Sequence, residues 1–278
     1  MKAKLLVGLL TVALGGLTSC SNILEENGVI NNVAESGMGE LRINLSTDAS
    51  VSVVTKAIND ADGTYIIKVT NKENQSIIQK VTYEQIQTTP LKLNNGKYIV
   101  EAYNKEEESV QDFEWNAPYY KTDGTNEVTI SGDSQDKALT CVRANSSLMV
   151  DTTSLGDSDA SNKILYVKSL IAKNEGKSSL NLIDSKHPLK TDSVCVKAGI
   201  PATIELVAVR MDNGKEITVS SPLKKNNESE TTADPIDAKT KYNVIYSIYA
   251  ENGELTLSVK VNDEVTTVPV SVKIDPYK

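Results

Sequence analysis

The feature that most constrains this chain is a two-residue alternation of apolar and polar side chains, broken by Asn-Gly turns. Tyr242, Val244, Tyr246 and Ile248 alternate with other residues, and after Asn252-Gly253 so do Leu255, Leu257, Val259 and Val261. Successive side chains on a strand point to opposite faces. The pattern therefore puts one face on a core and the other in water. Asn-Gly between such segments signals a hairpin, because both residues tolerate positive φ.

The same style runs through most of the chain. Leu41, Ile43 and Leu45 alternate with Arg42, Asn44 and Ser46. Further strands are expected at 51–54, 65–69, 77–83 and 128–130. Leu91 and Leu93 lead into Asn94-Asn95-Gly96, after which Tyr98, Val100 and Ala102 alternate, and this predicts a hairpin. In the second half, strands are expected at 139–142, 147–150, 164–171, 194–196, 202–210, 217–219 and 265–274, with a hairpin at Asn213-Gly214. Tyr83-Glu84-Gln85-Ile86 reads as one helical turn, and no helical period lasts longer than one or two turns. Short strands with Gly and Asn turns at this spacing predict an all-β chain of two tandem Ig-like or transthyretin-like β-sandwiches. The polar run Ser131-Gly132-Asp133-Ser134-Gln135-Asp136 places the boundary between an N-terminal sandwich, 39–135, and a C-terminal one, 136–278.

Lys2 and Lys4 precede an apolar run over 5–17, too short to span a bilayer and stop there; this is a secretory signal. The ending Leu17-Thr18-Ser19-Cys20 resembles a bacterial lipobox. That resemblance implies a lipoprotein signal peptide over 1–19, cleavage before Cys20 and lipid on Cys20. A lipidated tether over 20–38, rich in Asn, Glu, Gly and Ser, follows. The implied location is the outer membrane, at the cell surface, held by the lipid. Glu25 and Glu26 resemble the surface-export signals of Bacteroidetes lipoproteins.

The formal net charge is −8, and no basic face is evident for nucleic acid. The one histidine, His187, precedes Pro188 in a turn context. A Ser or Cys nucleophile therefore lacks the histidines that activate it, and no Gly-rich loop cradles phosphate. The 37 acidic residues make chance carboxylate pairs certain, so such pairs specify nothing. No enzyme activity, cofactor or metal is expected. Asp133 to Asp136 and Asp157-Ser158-Asp159 lack the spacing of a calcium loop. Beyond Cys20 there are Cys141 and Cys195, in apolar strand contexts. They are either a disulfide pair or two buried thiols acting as small hydrophobes. Phe113, Trp115, Tyr119 and Tyr120 form the densest aromatic group. Trp115, Tyr119 and Tyr120 are either a candidate sugar-stacking, glycan-binding surface or part of core and interdomain packing.

Several segments, taken in order, resemble one family. They are Gly39-Glu40-Leu41-Arg42-Ile43-Asn44-Leu45-Ser46, Thr55-Lys56-Ala57, Leu93-Asn94-Asn95-Gly96-Lys97-Tyr98-Ile99-Val100-Glu101-Ala102, Ala117-Pro118-Tyr119-Tyr120, Ala144-Asn145-Ser146-Ser147-Leu148-Met149-Val150 and Ile274-Asp275-Pro276. Their order resembles a Bacteroidetes family of two-domain surface lipoproteins catalogued as a domain of unknown function, and it is similar to the fimbrillin superfamily of type V pili. The resemblance implies a lipid-anchored surface structural or adhesion protein, with other pilus subunits or surface glycans as partners. It further implies proteolysis after a basic residue behind the first strands, and filling of the vacated groove by a strand from another subunit. The candidate cut is Lys56-Ala57 and the removable segment 41–54. The alternative is a solvent-facing Lys56 and a permanent first strand.

Overall fold

The computed structural model describes residues 37–48, 58–60, 62–155, 165–183, 190–224, 233–251, 254–261 and 264–273. Most of them are in strands. In chain order the first are β1 (Met38–Asp48), β2 (Ile58–Asp60), β3 (Ile66–Asn71) and β4 (Ile77–Thr82), then the helix α1 (Tyr83–Thr88). β5 (Leu91–Asn94), β6 (Gly96–Tyr103), β7 (Phe113–Trp115), β8 (Tyr120–Thr122), β9 (Glu127–Ile130) and β10 (Gln135–Arg143) follow. Next come β11 (Asn145–Asp151), β12 (Leu165–Asn174), β13 (Ser178–Asn181), β14 (Lys190–Lys197), β15 (Thr203–Arg210) and β16 (Glu216–Pro222). β17 (Lys241–Glu251), β18 (Glu254–Val261) and β19 (Glu264–Lys273) complete the series.

The first sheet runs β2-β1-β10-β8-β6-β3-β4, with β5 on β1 and β9 on β6 as branches. Its strands share a core of Leu41, Ile43, Leu45, Ile67, Val69, Leu93, Tyr98, Val100, Ile130 and Leu139, among others. The second sheet, β19-β18-β17-β11-β14-β7, and the third, β13-β12-β15-β16, share another. Leu148 of β11, Val196 of β14 and Tyr246 of β17 there meet Leu170 of β12 and Leu206 of β15. Two sheets burying facing apolar stripes make a β-sandwich.

Strand identity follows the alternation closely. β1 buries Leu41, Ile43 and Leu45 and leaves Arg42 and Asn44 exposed. The expected strand at 51–54 lies outside the described residues. The expected helical turn is α1. Thr82 caps it by accepting from the Gln85 N–H, while the Thr82 N–H donates to Gln85 Oε1, a reciprocal capping box. Tyr83 and Ile86, one turn apart, both face the core.

One turn departs from expectation. Asn94-Asn95-Gly96 is not a hairpin. β5 pairs with β1, and β6 pairs with β3, β8 and β9. Gly96 is absent from the positive-φ residues, so the backbone does not take the primed turn that hairpin requires. The Asn95 N–H instead donates to the Gly37 carbonyl at 2.8 Å. Leu91 and Leu93 are drawn to β1 because their buried faces share its core. Asn213-Gly214 does join the paired strands β15 and β16, with Gly214 at φ 68°. Glu251 pairs with Glu254, so β17 and β18 form a hairpin across 252–253.

The chain passes from the first sheet to the second at Ala144, between β10 and β11. β7 crosses ahead of that point. It lies early in the chain yet pairs with β14, and Phe113 sits in the second core.

Candidate functional site

β1 is the element on which the sequence placed a candidate activity, and its surroundings are well defined. Leu41 to Asp48 run parallel to Gln135 to Val142 of β10. On the other edge, Met38 to Leu41 pair antiparallel with Leu91 to Asn94 of β5, and Ser46 to Asp48 with Ile58 to Asp60 of β2. Between those two partners, among the described residues, that edge of β1 has no strand against it. One tyrosine meets the gap and a second braces the strand beyond it. The Leu45 N–H donates to Tyr83 Oη at 3.1 Å, and the hydroxyl of Thr47, in the stretch paired with β2, donates to Tyr65 Oη at 3.3 Å. Burial pushes the Tyr65 phenol up to about 12, so it stays neutral beside β1. Ser46 adds hydroxyl contacts to the Leu139 carbonyl and to Thr140 on β10.

The near end of β1 is fitted by close approach. A Cβ on Gly39 would lie 2.6 Å from the Asp133 carbonyl oxygen and 2.7 Å from Ile130 Cγ2. Gly39 has no positive φ, so space and not dihedral freedom requires the glycine. Its neighbours are the last residue of β9 and a residue of the β9–β10 turn, and that turn also reaches β1 through Ser134 Oγ and Glu40 Oε2, 3.3 Å apart.

The remaining candidate residues fall in several places. Cys20, Lys56 and Ala57 lie outside the described residues, as does His187. The connection 49–57 that contains Lys56 and Ala57 joins β1 to β2. The three aromatic candidates do not share one open surface. Trp115 is half-buried against the second core, Tyr120 is half-buried against the first, and Tyr119 is buried beside Tyr103 and Val110. The chain crosses between sheets over this stretch, so each ring faces a different neighbour. Burial raises the Tyr119 phenol far above its ordinary range.

Cys141 and Cys195 are buried free thiols with separate partners. The Cys141 thiol donates to the Ala102 carbonyl at 3.3 Å, and burial pushes it up to about 12. Cys195 Sγ accepts from the Arg143 guanidinium at 3.2 Å. Arg143 also donates to Asn145 Oδ1 and to the Ser146 carbonyl. Asn145 Oδ1 further accepts the Tyr119 N–H, and its amide donates to the Ala117 carbonyl. This buried polar node ties the β7–β8 segment to the start of β11.

The family described as Domain of unknown function (DUF4493) matches residues 37–276. The chain belongs to that family. Comparison with the curated proteins finds no match. Among solved structures, the DUF4493 chain is similar to a fimbrial assembly protein from Parabacteroides distasonis, at 9% identity and TM-score 0.44, covering 83% of this chain and 100% of that one. It is similar to a candidate cell adhesion protein from Bacteroides fragilis at 12% identity and TM-score 0.43, covering 80% and 97%. It is similar to candidate polysaccharide binding proteins from Bacteroides thetaiotaomicron at 11% identity and TM-score 0.44, covering 82% and 98%.

Sequence reasoning singled out β1 but missed Gly39, Tyr65 and Tyr83 as its holders. A glycine heading an alternating strand is a readable sign of close backbone approach. Nothing local marks the two tyrosine hydroxyls.

Proposed function

We propose that this DUF4493 protein is a cell-surface structural or adhesion subunit, anchored in the outer membrane by lipid on Cys20, whose first strand is exchanged for a strand of another subunit after proteolysis at Lys56-Ala57. It presents two β-domains beyond a tether, with the passage from the first sheet to the second at Ala144 and not at the expected 135/136 boundary, because β10 completes the first sheet beside β1.

The observation that carries this reading is the placement of β1. It is the first described strand, it fills a slot between β10 and the β5–β2 edge, and the candidate cut lies in the connection that follows it. Removing it would strip the partner from β10 over Gln135 to Val142 and open the pockets of Leu41, Ile43 and Leu45. Unpaired backbone beside alternating pockets is what an added strand recognises.

Magnitudes decide how exchange would run. Burial of each aliphatic side chain is worth about 1.5–3 kcal/mol, so these three alone hold β1 by several kcal/mol. A cut therefore does not release β1 by itself. A competing strand has to displace it.

The test is intact mass and amino-terminal sequencing of protein shaved from the native cell surface. A terminus at Ala57 supports exchange. A lipidated Cys20 terminus in all surface material overturns the processing step and leaves a permanently anchored surface protein.

A further inference from the structure

We infer that the slot of β1 accepts only a strand carrying glycine at the register of Gly39, two residues ahead of an alternating aliphatic triad. The inference rests on the proposed exchange of β1 and adds what the incoming strand must look like.

The slot is graded along its length. Three pockets take Leu41, Ile43 and Leu45, which are 0%, 6% and 4% exposed. At Gly39 there is no pocket. The Asp133 carbonyl and the Ile130 methyl occupy the space a Cβ needs. The first of these is backbone and the second a buried side chain, 1% exposed, so neither moves aside cheaply. The obstruction sits at the end of β9 and in the turn to β10, and β10 is the strand on which β1 lies.

This steric stop sets the register. A shift by one residue would put Arg42 and Asn44 into the core. A shift by two preserves the faces, so alternation alone does not forbid it. In one direction that shift drives Leu41 onto the Asp133 carbonyl. In the other it brings Gly37 to the stop but leaves Gly39 in the pocket of Leu41, which then stands empty. Only the native register satisfies both the stop and the three pockets. A second stretch of this chain meets the same rule. Residues 253–261, Gly-Glu-Leu-Thr-Leu-Ser-Val-Lys-Val, repeat the Gly-Glu-Leu start and the aliphatic alternation of residues 39–47.

Two measurements test the rule. In the intact chain, Gly39→Ala is expected to lower the unfolding midpoint clearly. Gly37→Ala is the control, because its Cβ would meet only the Asn95 side chain amide at 3.0 Å. If Gly39→Ala unfolds like wild type, the inference is overturned. In the second measurement, a site-specific protease sequence is inserted into the 49–57 connection and the full chain is nicked. Fluorescent peptides of residues 38–48 are then offered in exchange. The native peptide and a peptide of residues 253–261 are expected to exchange. The Gly39→Ala peptide is expected to bind at least tenfold more weakly, with a Glu40→Ala peptide unaffected. Equal exchange by the Gly39→Ala peptide overturns the inference. If no peptide exchanges while Gly39→Ala still destabilises the intact chain, the exchange reading falls and the glycine requirement of the slot stands.

Discussion

The backbone N–H of Leu45 donates to the hydroxyl of Tyr83 at 3.1 Å, so a side chain from α1 stands on the edge of β1 away from β10, where no described strand pairs with it. Both residues are buried, at 4% and 7% exposure. Water does not readily substitute for the phenol there. Tyr83→Phe keeps the ring and removes the acceptor. It is expected to destabilise the chain by about 1–3 kcal/mol, the cost of a buried donor without a partner, measured by denaturant unfolding. An unchanged midpoint would show that β1 needs no such support.

The two faces of β1 differ sharply in what they tolerate. Ile43→Ala removes a buried side chain and is expected to cost about 2–5 kcal/mol. Arg42→Ala on the opposite face removes only an exposed contact to Glu40 at 3.5 Å and is expected to change stability by less than about 0.5 kcal/mol. Urea unfolding of the two variants checks this contrast.

Asn145 serves the Tyr119 N–H, the Arg143 guanidinium and the Ala117 carbonyl together. Asn145→Ala leaves all three without that side chain in a buried setting. A loss on the order of 3 kcal/mol is expected. Thermal and denaturant unfolding would read it, and a near-neutral effect would mean that water enters the node.

Base should unfold this protein through its buried acids. Burial raises the Cys141 thiol from 9.0 to about 12 and the Tyr65 phenol from 10.0 to about 12. Both are neutral when protonated, so the folded state binds those protons more tightly than the unfolded one. Their contribution is fully present below pH 9 and is lost as the pH climbs from 9 towards 12. Unfolding midpoints measured from pH 8 to 12 should fall over that window, and Cys141→Ala should shallow the fall between pH 9 and 10. Parallel curves for the two proteins would remove Cys141 from the account.

The thiols give a separate readout. Cys141 and Cys195 are 0% and 5% exposed, so a polar thiol reagent should label neither in the native chain. After unfolding without reductant, both should be labelled, as counted by mass spectrometry. A disulfide would leave them unlabelled.

The residues of β1 show what was legible in advance and what was not. Alternation is local: each side chain's polarity reports which way it faces, so the all-β character, the positions of the longer strands and the buried set Leu41, Ile43 and Leu45 could be read directly. The same holds for the Asn213-Gly214 hairpin, whose two strands adjoin in the chain. Period two does not say which strand lies alongside. The parallel pairings of β1 with β10 and of β11 with β17 join segments far apart in the chain, and no local pattern encodes them. The three-residue strands β2, β7 and β8 are too short to show a period. At Asn95-Gly96 a good hairpin signal lost to the partners available to β5. Whether a turn closes a hairpin depends on where each flanking strand finds its backbone hydrogen bonds. At Gly39 the sequence shows only a small residue; the Asp133 carbonyl that forbids a larger one arrives there through tertiary packing.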